Sequence, residues 1–263
     1  MNLENESIVY KVDNKVATIL INRPEKMNAF RLEEFEQIIN CISMAQFDHE
    51  IQVIKIRSSG ERAFTGGLDL GMITELAVNQ DKIKDLLNIG EKTFKTIIQC
   101  PKPIVAEVQG PAVGWGTILC LLADFVIAGE NAKTFFYLNE IDVGIFPGTG
   151  ALSVALYKTG LKQAKRMLMI PEKIFLEEAM KNNIVTKTVP LANLQEETES
   201  FCQNLASKPS NILYPTKMVL NRLHLKDLEA SFEMERKGFE LFMQNNIDVM
   251  LEQNEEMWGK NRQ

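Results

Sequence analysis

Cysteine and histidine are scarce in this sequence, which has four cysteines and two histidines among 263 residues. The cysteines stand far apart, without a CxxC pair or a neighbouring histidine, at Cys41, Cys100, Cys120 and Cys202. A zinc site or a disulfide framework requires more closely spaced groups, so we expect reduced thiols and no metal site. His49 and His224 lack an identifiable serine or aspartate partner, which argues against a hydrolase triad.

Long apolar runs and clusters of basic residues are also lacking. The longest apolar run, residues 111–123, ends at Asp124 and includes two glycines, so it is too short to span a bilayer. The formal net charge of −6 argues against a nucleic-acid surface. The N-terminal segment MNLENESIVY is acidic and lacks a basic region and an apolar core, so we expect no signal peptide. These absences predict a cytoplasmic protein without membrane or nucleic-acid partners.

Patterns of apolar residues predict an α/β fold for the first half of the chain. Residues 7–21 alternate in polarity about an Asp13-Asn14 turn, which predicts a β-hairpin. The patterns further predict helices over 31–47 and 81–99 and strands over 51–57 and 104–108. Such elements recur about every 50 residues up to Gly129, which indicates parallel strands joined by crossover connections.

Helices dominate the sequence after Gly150. The expected elements are helices over 151–159 and 161–170, a short strand over 184–189, and further helices broken near Pro209 and Pro215. The tail is too apolar to remain free in solvent, so we expect it to pack on the core or on a neighbouring subunit. We therefore divide the chain into a core, residues 1–195, and a C-terminal helical region, residues 196–263.

Two glycine-containing stretches and one acid indicate a chemical site. Residues 103–150 read as a buried strand, a turn with glycines, an apolar helix, a second strand and then Glu140. A glycine turn that leads into a helix leaves unpaired backbone N–H groups, which stabilise negative charge. A carboxylate held nearby among apolar residues is suited to acid–base chemistry. The other stretch, residues 58–71, comes first in the chain, contains consecutive glycines and is expected to form an ordered loop.

Five segments in order resemble motifs of the crotonase superfamily, the enoyl-CoA hydratase/isomerase family. They are NRPEKMNAF (22–30), AFTGGLDL (63–70), KPIVAEVQGPAVGWG (102–116), ADFVIAG (123–129) and LNEIDVGIFPGTG (138–150). Five ordered motifs are specific, whereas any one of them alone is weak. The resemblance implies a ClpP-like spiral of repeated ββα units with a C-terminal helical oligomerisation region, assembled as a homotrimer or a dimer of trimers. It also implies an acyl-CoA thioester substrate and no cofactor beyond the coenzyme A of that substrate.

The resemblance also implies roles for particular residues. Members of the family stabilise a thioester enolate with two backbone N–H groups, which here would belong to Leu68 and Trp115. The acid of the family corresponds to Glu140, whose apolar neighbours are expected to raise its pKa. The positions that correspond to substrate or coenzyme A contacts are Lys26, Ala63, Gly66, Gly67, Asp69, Leu70 and Gly114.

Two positions depart from the family pattern. Trp115 stands where glycine is usual, so its indole either forms a wall of the acyl pocket or points away from it. Ile118 stands where hydratases carry the first of two glutamates. One base suffices to move a proton from C2 to C4, whereas water addition benefits from two acids, so the pattern favours a Δ3,Δ2-enoyl-CoA isomerase. The alternatives are an enoyl-CoA hydratase, another crotonase reaction such as decarboxylation, and a catalytically degenerate acyl-CoA-binding protein.

Several charged and aromatic residues have more than one interpretation. Asp69 follows a tight turn, where an aspartate more often caps a helix than contacts a ligand. Asp124 is interpreted as structural, and Asp142 as solvated or paired in preference to an accessory acid. Lys26 is either solvated or close to coenzyme A phosphates. By residue type, the candidates for contact with the adenine of a neighbouring subunit are Phe242, Trp258 and Lys260.

Overall fold

The computed structural model describes the backbone of residues 6–259, and their side chains except at 74, 76–78, 80, 223–228 and 244–259. The strands are β1 (Ile8–Asp13), β2 (Val16–Ile21), β3 (Val53–Ser58), β4 (Ile104–Val108), β5 (Ala112–Val113), β6 (Phe125–Glu130), β7 (Phe135–Tyr137), β8 (Ile174–Phe175) and β9 (Lys187–Pro190). The α-helices are α1 (Leu32–Phe47), α2 (Leu70–Val78), α3 (Gln80–Gln99), α4 (Trp115–Leu122), α5 (Ala151–Thr159), α6 (Leu161–Met169), α7 (Leu176–Lys181), α8 (Leu194–Ala206) and α9 (Ser210–Gly259).

Six strands form the main sheet, in the order β1-β2-β3-β4-β6-β9. β1 pairs antiparallel with β2, and the other neighbours pair in parallel. The hairpin turn consists of Asn14 and Lys15, which both have positive φ, 45° and 69°, because two-residue turns with this backbone fit the twist of the strands. The predicted hairpin is therefore confirmed with its turn one residue later than the expected Asp13-Asn14, because Asp13 still pairs with Val16, and the crossover connections are confirmed.

Helices cover both faces of the main sheet. The larger apolar core includes Phe35 of α1, Leu87 of α3 and Leu119 of α4, which are all buried. On the other face, Cys202 and Ala206 of α8 pack with valines of the sheet. All five residues of β4 are buried, as expected for a parallel strand covered on both sides. The expected division after residue 195 falls inside α8.

A smaller sheet, in the order β5-β7-β8, brings distant segments together. β5 pairs in parallel with β7, so the residues that follow them, Gly114 and Leu138, leave the sheet at the same edge. The Gly114 N–H donates to the carbonyl oxygen of Tyr137 at 2.7 Å. A bridge between Thr65 and Ala112 holds the first glycine stretch against β5. The small sheet therefore fixes the positions of both glycine stretches and of the segment that contains Glu140.

Two expectations about the C-terminal part of the chain are wrong. α9 continues through Pro215, where a break was expected. Pro215 lies in the second turn, so its missing N–H removes one hydrogen bond, while α2, α3 and α5 pack against the helix. The expected strand over 184–189 is shorter, because the N–H groups of Ile184 and Val185 donate to the carbonyl oxygen of Ala179. The expected break near Pro209 is confirmed.

The described part of α9 packs on the core of its own chain. The ring of Phe232 meets that of Phe94 edge-on, with 5.3 Å between centroids, and the centroids of Phe242 and Phe146 are 6.4 Å apart. The side chain of Trp258, and Lys260 as a whole, lie outside the described residues. Within the described ranges, no helix combines the length and apolar character that crossing a membrane requires.

Candidate active site

Two glycine turns, one from each stretch identified in the sequence, lie against each other. The first glycine turn contains Gly67, and the second contains Gly114. Gly67 has φ of +89°, and a Cβ atom built on it would lie 2.8 Å from the carbonyl oxygen of Val113 and 3.5 Å from the backbone nitrogen of Trp115. Gly114 has φ of +49°. Glycine adopts such conformations without strain, and the close approach of the two turns excludes a side chain at position 67. The glycines therefore allow the two turns to meet.

The backbone N–H groups of Leu68 and Trp115 lie in these two turns. Hydrogen bonds of 2.8 Å hold the backbone on both sides of Leu68, from Phe30 N–H to the Gly67 carbonyl and from Asp69 N–H to the Phe30 carbonyl. Trp115 begins α4, where N–H groups have no partner within the helix and carry partial positive charge. Neither the Leu68 nor the Trp115 N–H donates a hydrogen bond to another described residue. The two expected donors are thus brought together.

Glu140 lies beside the second glycine turn. A Cβ atom at Gly114 would be 3.6 Å from Glu140 Oε1, so the absence of a side chain there leaves room for the carboxyl group. Glu140 Oε2 is buried and accepts no hydrogen bond from the described residues. Burial raises the pKa of Glu140 to about 7, and the carboxylate of Glu235 contributes to this increase. A carboxyl group with these properties can accept and release a proton near neutral pH.

The indole of Trp115 lies in the core. Its N–H donates to the hydroxyl oxygen of Thr149 at 2.9 Å. Its ring meets the ring of Phe35 edge-on, with 4.7 Å between centroids, and the residue is 2% exposed. The indole is therefore enclosed by its own chain, and whether it forms a wall of the acyl pocket or points away from it stays a prediction.

Ile118 lies one turn further along α4 and is buried. Its N–H donates to the Gly114 carbonyl at 3.1 Å, so the helix starts directly at the glycine turn. All eight residues of α4 are buried and none is acidic. Thr117 ties this helix to the small sheet, because its hydroxyl donates to Ala112 and accepts from the Tyr137 N–H. The helix therefore supplies no second carboxylate.

Comparison with known proteins shows the family to which the chain belongs. The sequence profile described as enoyl-CoA hydratase/isomerase matches residues 11–260. The chain belongs to the enoyl-CoA hydratase/isomerase family. The expected crotonase fold, an α/β architecture, is confirmed with this assignment.

Relatives of this family member include hydratases and an isomerase. It is 28% identical over 236 residues to crotonyl-CoA hydratase of Syntrophomonas wolfei, with 90% of this chain and 89% of the relative covered. It is 32% identical over 206 residues to trans-2-decenoyl-[acyl-carrier-protein] isomerase of Streptococcus mutans, with 77% of each chain covered. The structure of an enoyl-CoA hydratase from Mycobacterium avium subsp. paratuberculosis aligns with a TM-score of 0.83 at 27% identity, with 94% of this chain and 97% of the other covered.

Asp69 has a structural role in this member of the family. Its Oδ1 accepts hydrogen bonds from the N–H groups of Gly71 at 3.0 Å and Met72 at 3.4 Å, which caps α2. Its two oxygens also pair with Arg23 at 3.3 Å and Arg31 at 3.4 Å. The interpretation of Asp69 as a helix cap is therefore confirmed, and its contact with substrate stays a prediction.

Asp124 and Asp142, the other two aspartates considered in the sequence analysis, also have partners within the chain. Asp124 accepts a hydrogen bond from the Ile104 N–H at 2.7 Å and pairs with Lys217 at 2.6 Å, so its structural interpretation is confirmed. Asp142 is exposed and accepts a hydrogen bond from the hydroxyl of Tyr137. The Asp142 carboxylate is thus paired outside the buried site.

The remaining expected contact positions surround the first glycine turn. Lys26 is exposed at the end of a short 3₁₀ helix, and Leu70 is exposed at the start of α2. Ala63 is buried, and its carbonyl oxygen accepts hydrogen bonds from the side-chain amides of Asn28 and Gln109, both at 3.1 Å. The expected contacts of these positions with coenzyme A stay predictions.

Two residues near the site were missed in the sequence. Thr149 holds the Trp115 indole, and Glu235 is a buried acid on α9 that accepts hydrogen bonds from the start of α5. The signal for Glu235 is its position between Phe232 and Phe239, since this spacing places an acid on an apolar helix face. In the part of the chain that the structure describes, no group of three or more His, Cys, Asp or Glu residues could hold a metal ion.

Proposed function

We propose that this protein is an acyl-CoA enzyme that moves a double bond from the 3 to the 2 position, with Glu140 as its single base. The observation that carries the proposal is the buried Oε2 of Glu140 beside two turns with the N–H groups of Leu68 and Trp115, none of which has a hydrogen-bond partner among the described residues. A carboxyl group shielded from solvent next to preorganised donors is an arrangement suited to enolate chemistry.

The N–H groups of Leu68 and Trp115 would bind the thioester carbonyl oxygen of the substrate. Negative charge develops on this oxygen when a proton leaves C2. Backbone donors fixed at the required positions favour that charge by about 3 kcal/mol each, because they need no reorganisation during the reaction. The Trp115 N–H would also act through the positive end of α4.

The proton transfer would use one carboxyl group twice. The ionised Glu140 removes a proton from C2 of the 3-enoyl thioester, and the electrons of the C2–H bond delocalise over the dienolate. The protonated Glu140 then returns that proton to C4, which forms the C4–H bond and leaves the double bond between C2 and C3. A pKa of about 7 suits both steps, because the group accepts and donates with little penalty near neutral pH.

Ile118 favours isomerisation over hydration. A hydratase benefits from two acids that hold and deprotonate a water molecule, whereas the helix after the second glycine turn carries an aliphatic residue at the first acidic position. A relative named trans-2-decenoyl-[acyl-carrier-protein] isomerase supports this reaction type. Hydration is the second candidate, because other relatives are named crotonyl-CoA hydratase and short-chain-enoyl-CoA hydratase.

The experiment that separates the two reactions compares two substrates of the purified protein. We expect conversion of 3-hexenoyl-CoA to the 2-enoyl thioester, followed by absorbance and mass spectrometry, and slow hydration of crotonyl-CoA. Rapid hydration of crotonyl-CoA without turnover of 3-hexenoyl-CoA would show that the second candidate is correct. Binding of acyl-CoA with neither reaction would favour the degenerate binding protein.

A further inference from the structure

A carboxylate from the C-terminal helix lies at the start of α5. Glu235 is 3% exposed, although it belongs to α9. Its Oε1 accepts a hydrogen bond from the Gly150 N–H at 2.6 Å, and its Oε2 accepts from the Ser153 N–H at 3.0 Å and the Ser153 hydroxyl at 2.9 Å. Gly150 is the N-cap of α5 and has no side chain to cap the helix. Glu235 therefore supplies the cap from a distant part of the sequence.

Aromatic rings and glycines pack closely together next to this carboxylate. A Cβ atom on Gly148 would lie 2.4 Å from the ring of Phe239, which belongs to α9. In the opposite direction, a Cβ atom on Gly238 of α9 would lie 2.7 Å from the ring of Phe146. Such distances leave no free space between the two segments. α9 thus fits closely against residues 146–150.

The same segment is bonded to Trp115 and follows directly after the turn that contains Glu140. Thr149, between Gly148 and Gly150, accepts the hydrogen bond of the Trp115 indole at 2.9 Å. Upstream, the Ile145 N–H donates to the Glu140 carbonyl oxygen at 2.8 Å, so a compact turn joins Glu140 to Phe146. The position of residues 146–150 therefore affects both the turn that contains Glu140 and the first residue of α4.

We propose that α9 holds the candidate active site in its reactive geometry, with Glu235 as a positioning residue for Glu140 and for the second glycine turn. Glu235 acts through Gly150 and Ser153, and Thr149 transmits its effect to the Trp115 indole. The part of this proposal that concerns catalysis rests on the proposed isomerase function. The part that concerns the conformational stability of residues 146–153 does not depend on the proposed function.

The proposal predicts an electrostatic effect in addition to the mechanical one. The carboxylate of Glu235 contributes to the raised pKa of Glu140, and among the described residues the hydroxyl of Tyr137, which is paired with Asp142, is also close enough to interact with Glu140. Removal of the charge at position 235 is expected to lower the pH at which Glu140 ionises. Loss of burial would lower the pKa of Glu140 as well, so the shift in pH is read together with the hydrogen exchange of residues 146–153, which reports a structural change directly.

The test compares Glu235→Gln with Glu233→Gln. Glutamine keeps the shape at position 235 but loses the charge and one acceptor, whereas Glu233 is exposed on the same helix and pairs with Lys237 at 2.8 Å. We expect Glu235→Gln to lower kcat by about 10- to 100-fold with KM changed less than about threefold, because misplaced groups impair chemistry more than binding. The pH–rate midpoint should shift downwards. Glu233→Gln should match the wild type in each property.

Hydrogen exchange provides the readout that is independent of catalysis. We expect the amides of residues 146–153 to exchange roughly tenfold faster in Glu235→Gln, because a charge-assisted cap is lost. Unchanged exchange and unchanged kcat would overturn the proposal, whereas faster exchange in a protein without isomerase activity would refute only the proposed function. Should Glu235→Gln not fold, Ser153→Ala removes one bond to Glu235, and wild-type exchange in that variant would overturn the proposal.

Discussion

At the scale of single residues, the burial of Glu140 determines its chemistry. Its Oε2 lacks a partner among the described residues, and its pKa is raised from 4.5 to about 7, chiefly by burial. The ionised form is therefore less stable in the folded protein than in the unfolded chain. The same feature that allows a base to act near neutral pH makes the folded state less stable as pH rises.

Because the ionised carboxyl group of Glu140 destabilises the folded state, we predict that Glu140→Gln stabilises the protein at alkaline pH. A carboxyl group whose folded-state pKa is raised stabilises the fold below the unfolded pKa of 4.5, and this contribution is lost as pH rises to about 7. We expect the variant to be more stable than the wild type by roughly 1–3 kcal/mol at about pH 8, and the difference to shrink at about pH 5. Urea unfolding at fixed protein concentration measures this difference.

A surface variant provides the control for that measurement. Glu36 is an exposed glutamate on α1, so Glu36→Gln should leave the free energy of unfolding within about 0.5 kcal/mol of the wild type at both pH values. If Glu140→Gln were less stable than the wild type near pH 8, the Glu140 carboxylate would have a stabilising partner in solution, and burial would not control its pKa.

The raised pKa also predicts the pH dependence of the reaction. The free enzyme must hold Glu140 ionised to remove a proton from C2, so kcat/KM should fall about tenfold per pH unit below pH 7 and become constant above it. Initial rates with 3-hexenoyl-CoA between pH 5 and 9 measure this profile. A profile that is flat through neutral pH would contradict a base with this pKa.

At the scale of elements, the two glycine turns determine where the donors lie. Gly67 has φ of +89° and approaches the Val113 carbonyl so closely that a Cβ would lie 2.8 Å from it. Gly160, between α5 and α6, has φ of +78° with nothing within 4 Å of a Cβ. The two glycines share a conformation that disfavours other residues, but only Gly67 is also enclosed.

Alanine substitutions at Gly67 and Gly160 separate the effect of backbone strain from the effect of close packing. Gly160→Ala should cost about 1 kcal/mol of stability through backbone strain and retain wild-type kcat. Gly67→Ala must also move the second turn, so we expect a loss of roughly 2–4 kcal/mol and at least about 100-fold in kcat, since both donors are displaced. Unfolding and steady-state assays of both variants measure these effects. Equal activity of the two variants would contradict the donor assignment.

Local patterns predicted the elements and could not predict their long-range contacts. The hairpin, α1, α3 and β4 follow from periodicity, which reflects local backbone preference and burial. The direction of the Trp115 indole depends on Thr149, and the role of Glu235 depends on Gly150, which lies 85 residues away in sequence. Helix α9 continues through Pro215 and packs against α2, α3 and α5, tertiary contacts that local propensity does not include.

At the scale of the whole molecule, apolar side chains of α6 remain exposed. The described part of α9 does not cover them, because it packs on the core of its own chain. Leu161 and Met169 of α6 and the adjoining Ile170 are 59%, 65% and 66% exposed. Apolar surface of this kind favours association, and the family resemblance implies a trimer or a dimer of trimers. Light scattering coupled to gel filtration should therefore give three or six times the chain mass of 29.8 kDa. A monomer at micromolar concentration would contradict this prediction.

In the proposed reaction, one carboxyl group moves one proton between two carbon atoms. The decisive measurement follows 3-hexenoyl-CoA that carries deuterium at C2, incubated in water with the wild type and with Glu140→Gln. We predict a 2-enoyl product with deuterium transferred to C4, and a loss of about 100- to 10,000-fold in rate in the variant. A 3-hydroxyacyl product, or an isomerisation rate unaffected by Glu140→Gln, would contradict a single-base isomerase.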